Sequence, residues 1–284
     1  MIIIIHYISI ILIFGEDTRK KKLMISLLLS EDHSPYYYLL LLVLLLGHAQ
    51  SLGIGALFFL KRSGDKRSNA AMGMLLISFS LTLLHYIFIY TGIYDRYPNL
   101  HYLPLYFTLS FPVLLFYHVK LSLFPVYQLR WTDLKHVILP LGPVLFFLVN
   151  FIRGKHFGPD YGRWFSNPFY GAFEQLLYLF FSFAYLYFAY RYIQKKRATQ
   201  PKNRTVRKKI WYAALLVRIF LLLFSVHTLF ILADYISYNL LQIDLRANNF
   251  FAALGILSFV ALIYWLGVYG FQVLFWGRKM FTTK

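Results

Sequence analysis

Glu174, Asp234, His85 and His227 can all move protons, and each sits in an otherwise apolar stretch of the chain. Asn150 and Gln175 share that setting and add hydrogen-bonding amides. A charge at the centre of a bilayer costs about 2.5–3.5 kcal/mol, so such residues are functional leads wherever the surrounding run crosses a membrane. His227 and Asp234 are seven residues apart and share one helical face. Lining a ligand pocket is one use for these six. Structural polar packing is another, with Glu174 and Asp234 solvated near helix ends. A third is acid–base or proton-coupling work by Glu174, His227 and Asp234 in a lipid-acting enzyme or a carrier.

Four more residues read as buried polar or coupling groups. His48 and Gln50 lie midway along the first long apolar run. Interhelical hydrogen bonding there is worth about 1 kcal/mol each. Arg218 lies two turns inside its run, where it either snorkels to the surface or pairs across helices near His118, which sits at similar depth.

The remaining chemistry is mostly excluded. There are no cysteines, so thiolate metal sites, iron–sulfur clusters, disulfides and a Cys nucleophile are ruled out. The nine histidines are scattered and form no HxxxH, HxxHH or HExxH. No GxSxG or Walker sequence is present, and the last apolar run holds no Lys for a Schiff base. No catalytic residue, metal or cofactor is expected, and the protein is not read as an enzyme.

These residues must be positioned by membrane helices. Hydrophobic residues make up 59% of the chain and charged ones 14%, against about a quarter charged in a soluble domain. Seven runs approach the roughly 20 residues needed to cross a bilayer: 36–60, 70–93, 103–123, 136–152, 170–193, 211–236 and 250–275. They do not alternate apolar with polar, so helices are expected over barrel strands. The fold class is an all-α seven-helix bundle. Pro112, Pro140 and Pro143 should kink or unwind their helices.

Lys and Arg set the orientation. The odd-numbered loops and the C-terminal tail hold 19, while the even-numbered loops hold only Arg96, Arg153, Lys155, Arg163 and Arg246. The positive-inside bias puts the N-terminal flank of the first span outside and the C-terminus in the cytoplasm, in a multi-pass protein of a bacterial inner membrane. The six pocket candidates then share the outer half, at about 1.5 Å of depth per residue. Tyr36, Tyr37, Tyr38, Tyr94, Trp164 and Tyr238 form an outer aromatic belt, and Tyr127, Trp131, Trp211 and Trp276 an inner one.

Residues 1–23 do not fit this topology. Met1–Phe14 is short for a span, and Arg19–Lys22 prefer the cytoplasm, although the first good span must start outside. Either Met24 is the true start or the segment is a signal-like extension.

Gly47, Ser51 and Gly55 recur every four residues and let two helices approach closely, within the chain or across a homodimer. The run 194–210 (QKKRATQPKNRTVRKKI) carries eight positive charges and no acid. It suits anionic lipid at roughly 1 kcal/mol per charge. It lacks the aromatic pattern of a nucleic-acid binder, so no nucleic-acid contact is expected.

The segment GHAQSLGIGALFFLKRSGDKRSNAAMGMLLISFSL resembles the first hairpin of the membrane sensor domain found on bacterial AraC-type transcriptional regulators. YFTLSFPVLLFYHVKLSLFPVYQLRWTDLKHVILPLGPVLFF resembles that family's third and fourth helices. There Asp133, Leu134, His136 and Pro140 match a D-L-x-H-x-x-P pattern. The likeness covers about residues 36–275. It implies a membrane input module that binds a small or lipidic ligand and signals to a cytoplasmic regulator or kinase. In that family a cytoplasmic helix-turn-helix domain follows the last helix, whereas this chain stops at Lys284. The expectation is therefore an input module without its own DNA-binding output, or one product of a split regulator.

Overall fold

Away from water, a long apolar run must satisfy its backbone within itself or within a closed barrel. The computed structural model describes residues 35–61, 64–97, 100, 102–128, 130–157, 168–199, 202–245 and 248–275, and the regular structure there is entirely helical. The long helices are α1 (Pro35–Leu60), α2 (Lys66–Tyr90), α3 (Ser110–Leu123), α4 (Lys135–Phe157), α5 (Pro168–Ala198), α6 (Arg204–Asn239) and α7 (Asn249–Phe275). A one-turn helix, Ile93–Arg96, follows α2, and a 3-10 turn, Trp131–Leu134, precedes α4. The segment 1–23, Met24, Trp164, Arg246 and Trp276 lie outside the described residues.

All of these long helices except α3 are long and apolar enough to cross a membrane. Leu42, Leu46, Phe180, Leu222 and Leu229 are exposed on the outside of the bundle. Water-soluble monomers rarely leave such apolar surface bare, so the architecture is that of a multi-pass membrane protein. In the bundle α1, α2, α3, α5, α6 and α7 close into a ring, each packed on the next, with α7 returning to α1. α4 stands outside this ring, against α3.

The third span is shorter than its apolar run. α3 has 14 residues, about 21 Å, and cannot cross a core of about 30 Å alone. Residues 103–109 are irregular instead, interrupted by Pro104. Such backbone is tolerated where protein covers it, and here the Phe107 N–H donates to Thr82 Oγ1 of α2 at 3.0 Å. The other prolines do not break their helices. Pro112 sits in the first turn of α3, where its missing N–H would have no intrahelical acceptor anyway. α4 stays helical through Pro140 and Pro143.

The small-residue stripe is used within the chain. A Cβ on Gly55 would lie 3.1 Å from the Gly73 carbonyl oxygen, and one on Gly73 would lie 3.0 Å from that of Gly55, so α1 and α2 touch backbone to backbone. Gly47 faces Leu83 of α2 and Tyr264 of α7. This stripe therefore faces inward and is not a free dimer face. Gln50 lies so close over Gly267 of α7 that any side chain there would overlap it.

Two matching clasps fix α2. His48 Nδ1–H of α1 donates to the Ser80 carbonyl at 2.9 Å, and Ser80 Oγ–H donates to the His48 carbonyl at 3.1 Å. Twelve residues earlier on α2, Ser68 makes the same exchange with His118 of α3, at 3.0 Å both ways. His118 Nε2 then meets the Tyr269 hydroxyl of α7 at 3.3 Å. Both histidines are buried, as the sequence reading expects, but His118 does not meet Arg218. Arg218 is exposed on the outer face of α6, so it is not a buried coupling group. Its neighbours Leu221 and Leu222 are exposed too, the setting in which an arginine snorkels.

The end of the bundle where α1 finishes and α2 begins is basic and tied by short polar links. Asp65 caps α2, accepting from the Arg67 N–H at 2.8 Å and the Ser68 N–H at 3.4 Å. Burial opposes its ionisation, but the hydrogen bonds and charge of Arg67 outweigh this and hold the carboxyl below its usual range. Arg67 also donates to the carbonyls of Tyr127 and Pro125. Buried Lys120 lies 3.6 Å from Asp133 and 3.6 Å over the Tyr127 ring. Asp133 also accepts from the Tyr127 hydroxyl and the Arg130 N–H, each at 2.8 Å. His136 bonds the Tyr185 hydroxyl of α5. The run 194–210 is mostly helix, because α5 continues to Ala198 and Asn203 caps α6.

Candidate functional site

The site is assembled at the opposite end, where α1, α5 and α7 begin and α2 and α6 finish. A cavity of about 1130 Å³ opens among these helices. Its floor is aromatic: Phe259 of α7 packs 5.5 Å from Phe79 of α2, which stacks on Phe111 of α3 at 3.7 Å. Further along α7, Leu262, Ile263 and Leu266 are fully buried. Tyr37 and Tyr90, stacked at 4.7 Å, line one wall between α1 and α2. Tyr106 and Phe147 line another.

His85, Glu174, Gln175, His227 and Asp234 all line this cavity. They come from α2, α5 and α6, and the tertiary fold brings them to one space. Glu174 Oε1 is fully buried and has no hydrogen-bond partner among the described residues. His227 is buried, and its Nδ1 lies 2.8 Å from Ser258 Oγ of α7. That hydroxyl donates its proton to the Gly255 carbonyl at 2.6 Å, so it accepts from His227 Nδ1–H. The remaining nitrogen, Nε2, is then a hydrogen-bond acceptor in the neutral ring. His85 Nδ1 bonds the Tyr94 hydroxyl at 2.6 Å, which fixes its ring at the edge of the site.

Asn150 is not in the cavity. It is buried on α4, and its side-chain amide donates to the Phe146 carbonyl of its own helix at 2.8 Å. Because α4 stands outside the ring, it reaches the cavity through Phe147 instead. Tyr94 also departs from the sequence reading. It is 2% exposed, bonded to His85, and so is not part of an interfacial belt. Tyr36 and Tyr238 are exposed as a belt requires, and Trp131 and Trp211 are exposed at the other end.

No protein-family model, no curated protein and no solved structure matches this chain. What the site can do therefore rests on its own geometry. Sequence reasoning missed Tyr106 and Ser258. Tyr106 reaches the cavity because residues 103–109 are not helical, and the only local sign of that is Pro104. Ser258 is one small polar residue in an apolar helix and carries no local signal. Among the described residues, no cluster of three or more His, Asp or Glu could hold a metal ion.

Proposed function

We propose that this is a membrane-embedded sensor: it binds a small or lipidic ligand in the cavity and passes a helix shift to a cytoplasmic partner. The observation that carries the reading is the convergence of five polar side chains on one aromatic-lined cavity at one end of the bundle. Ligand sites are typically concave and mostly apolar, with a few placed polar groups. The positive-inside bias supports an orientation with the cavity in the outer half of a bacterial inner membrane and both the basic end and the C-terminus in the cytoplasm. The seven-span topology counts α3 together with the irregular residues before it as one crossing.

The resemblance to the sensor domain of AraC-type regulators supports an input role, with a separate regulator or kinase as output. A signal needs an element with two arrangements that both ends bias. α2 is the natural candidate: His85 at its outer end borders the cavity, and its start is held by Asp65, Arg67 and Ser68. Anionic lipid along 194–210 would anchor the basic end.

The test is purification in nanodiscs with a tag after Lys284, followed by mass spectrometry of what is retained. A co-purifying cytoplasmic regulator together with a bound small molecule is expected. Ala substitution of Glu174 or His227 should abolish the ligand response while folded protein persists. An unchanged response in both would sink this reading. A second reading is favoured by Glu174, His227 and Asp234 sharing one cavity: a proton-coupled carrier or lipid-acting enzyme. Proton-coupled uptake or lipid turnover in reconstituted vesicles would select it.

A further inference from the structure

Three of the polar groups on the cavity wall offer acceptor atoms: Glu174, Asp234 and His227. Glu174 presents a buried carboxylate oxygen that nothing among the described residues donates to. Asp234 adds a second carboxylate to the lining. His227 has its Nδ1 proton committed to Ser258, which leaves an acceptor nitrogen. Among the described residues no Lys or Arg lines the cavity, although the chain carries +18 overall. Six aromatic rings line the walls: Tyr86, Tyr90, Tyr106, Phe147, Phe230 and Phe259. Aromatic faces attract cations, and a buried unpaired acceptor is satisfied by a donor.

Size and rim narrow the class further. At about 1130 Å³ the cavity exceeds what a compact amine fills, and Tyr36, Leu39 and Ile89 on its lining are exposed apolar side chains facing where lipid would lie. From these observations, and resting on the reading of this cavity as a ligand site, we infer that the ligand is a cationic amphiphile: a protonated amine head that donates to Glu174, with an apolar tail along the aromatic wall.

The test uses the full chain in nanodiscs of zwitterionic lipid and three radiolabelled probes of one chain length: dodecylamine, dodecanol and dodecanoate. Empty discs correct for partitioning. Saturable binding of one dodecylamine per chain is expected, with the alcohol and the carboxylate at least roughly tenfold weaker, the loss anticipated when a charge-assisted hydrogen bond is missing. Glu174→Gln, which keeps the shape, should bring the amine down to the level of the alcohol. Gly255→Leu should remove saturable binding of every probe, because Gly255 borders the cavity with open space where a Cβ would go. Ala253→Phe serves the same purpose if that variant does not fold. Dodecanol or dodecanoate binding as tightly as the amine, and lost on filling the cavity, would overturn the amine assignment while leaving the ligand site standing. No saturable binding of any probe, or amine binding indifferent to the filled cavity, would overturn both.

Discussion

Ser80 and Ser68 each do two things at once: they accept a histidine N–H through their own carbonyl and return a hydroxyl proton to that histidine's carbonyl. Removing the hydroxyl deletes one buried interhelical hydrogen bond, worth about 0.5–1.5 kcal/mol. Ser80→Ala and Ser68→Ala should each lower stability by that amount in detergent unfolding, whereas Ser225→Ala, whose hydroxyl bonds its own helix on the exposed face, should change little. Lys61 gives a pH prediction at the same scale. Burial, then the nearby Lys209 charge, lowers its ammonium from the usual 10.5 to about 8, although it donates to the Val273 carbonyl at the end of α7. Between those two values the unfolded chain binds more protons than the folded one, so this group makes stability rise with pH through that window. Thermal unfolding from pH 7 to 10.5 should show that rise, and Lys61→Gln should flatten it. Asp65 gives the same sign of slope on the acid side. Its folded carboxyl is held low, so its contribution is present above the unfolded value of 3.8 and fades as pH falls through the folded one.

Among the elements, the contact between α1 and α2 is the closest and the least tolerant. A methyl on Gly73 would sit 2.7 Å from the Phe59 ring and 3.0 Å from the Gly55 carbonyl oxygen. Backbone cannot yield as a side chain does, so Gly73→Ala should cost about 1–3 kcal/mol in thermal or denaturant unfolding. Gly142 on α4 has nothing within 4 Å of such a methyl. There the same substitution should be neutral or stabilise by about 0.5–1 kcal/mol, because glycine is a poor residue inside a helix. The contrast follows from position: α2 lies inside the ring between α1 and α3, while α4 leans on α3 from outside. It also explains why two prolines persist in α4, where little else depends on its axis.

For the whole molecule, a chain without cysteines is a ready background for topology mapping. Thr199, just past α5, and Ile243, between α6 and α7, are exposed at opposite ends of the bundle. With the basic end in the cytoplasm, an impermeant thiol reagent should label Ile243→Cys in intact cells and Thr199→Cys only after permeabilisation. The reverse pattern would invert the proposed orientation. Membrane class and the sites of the long helices were legible from the sequence, because bilayer crossing depends on the length and polarity of a run, which are local properties. So were His85, Glu174, Gln175, His227 and Asp234 as residues to watch, since a polar group in an apolar run is costly wherever it ends up. What the sequence could not decide is which face of each helix turns inward. α1 and α7 are apolar nearly all round, and a helix without a polar face carries no periodic signal for its orientation. Tertiary packing alone decided that α4 stands outside the ring with Asn150, that Arg218 faces outward and that the third run breaks to bring Tyr106 to the cavity. It decided these because ring closure is set by close fit between distant segments, Gly55 on Gly73 and Gln50 over Gly267, and such fit is a property of pairs that no single stretch of chain contains.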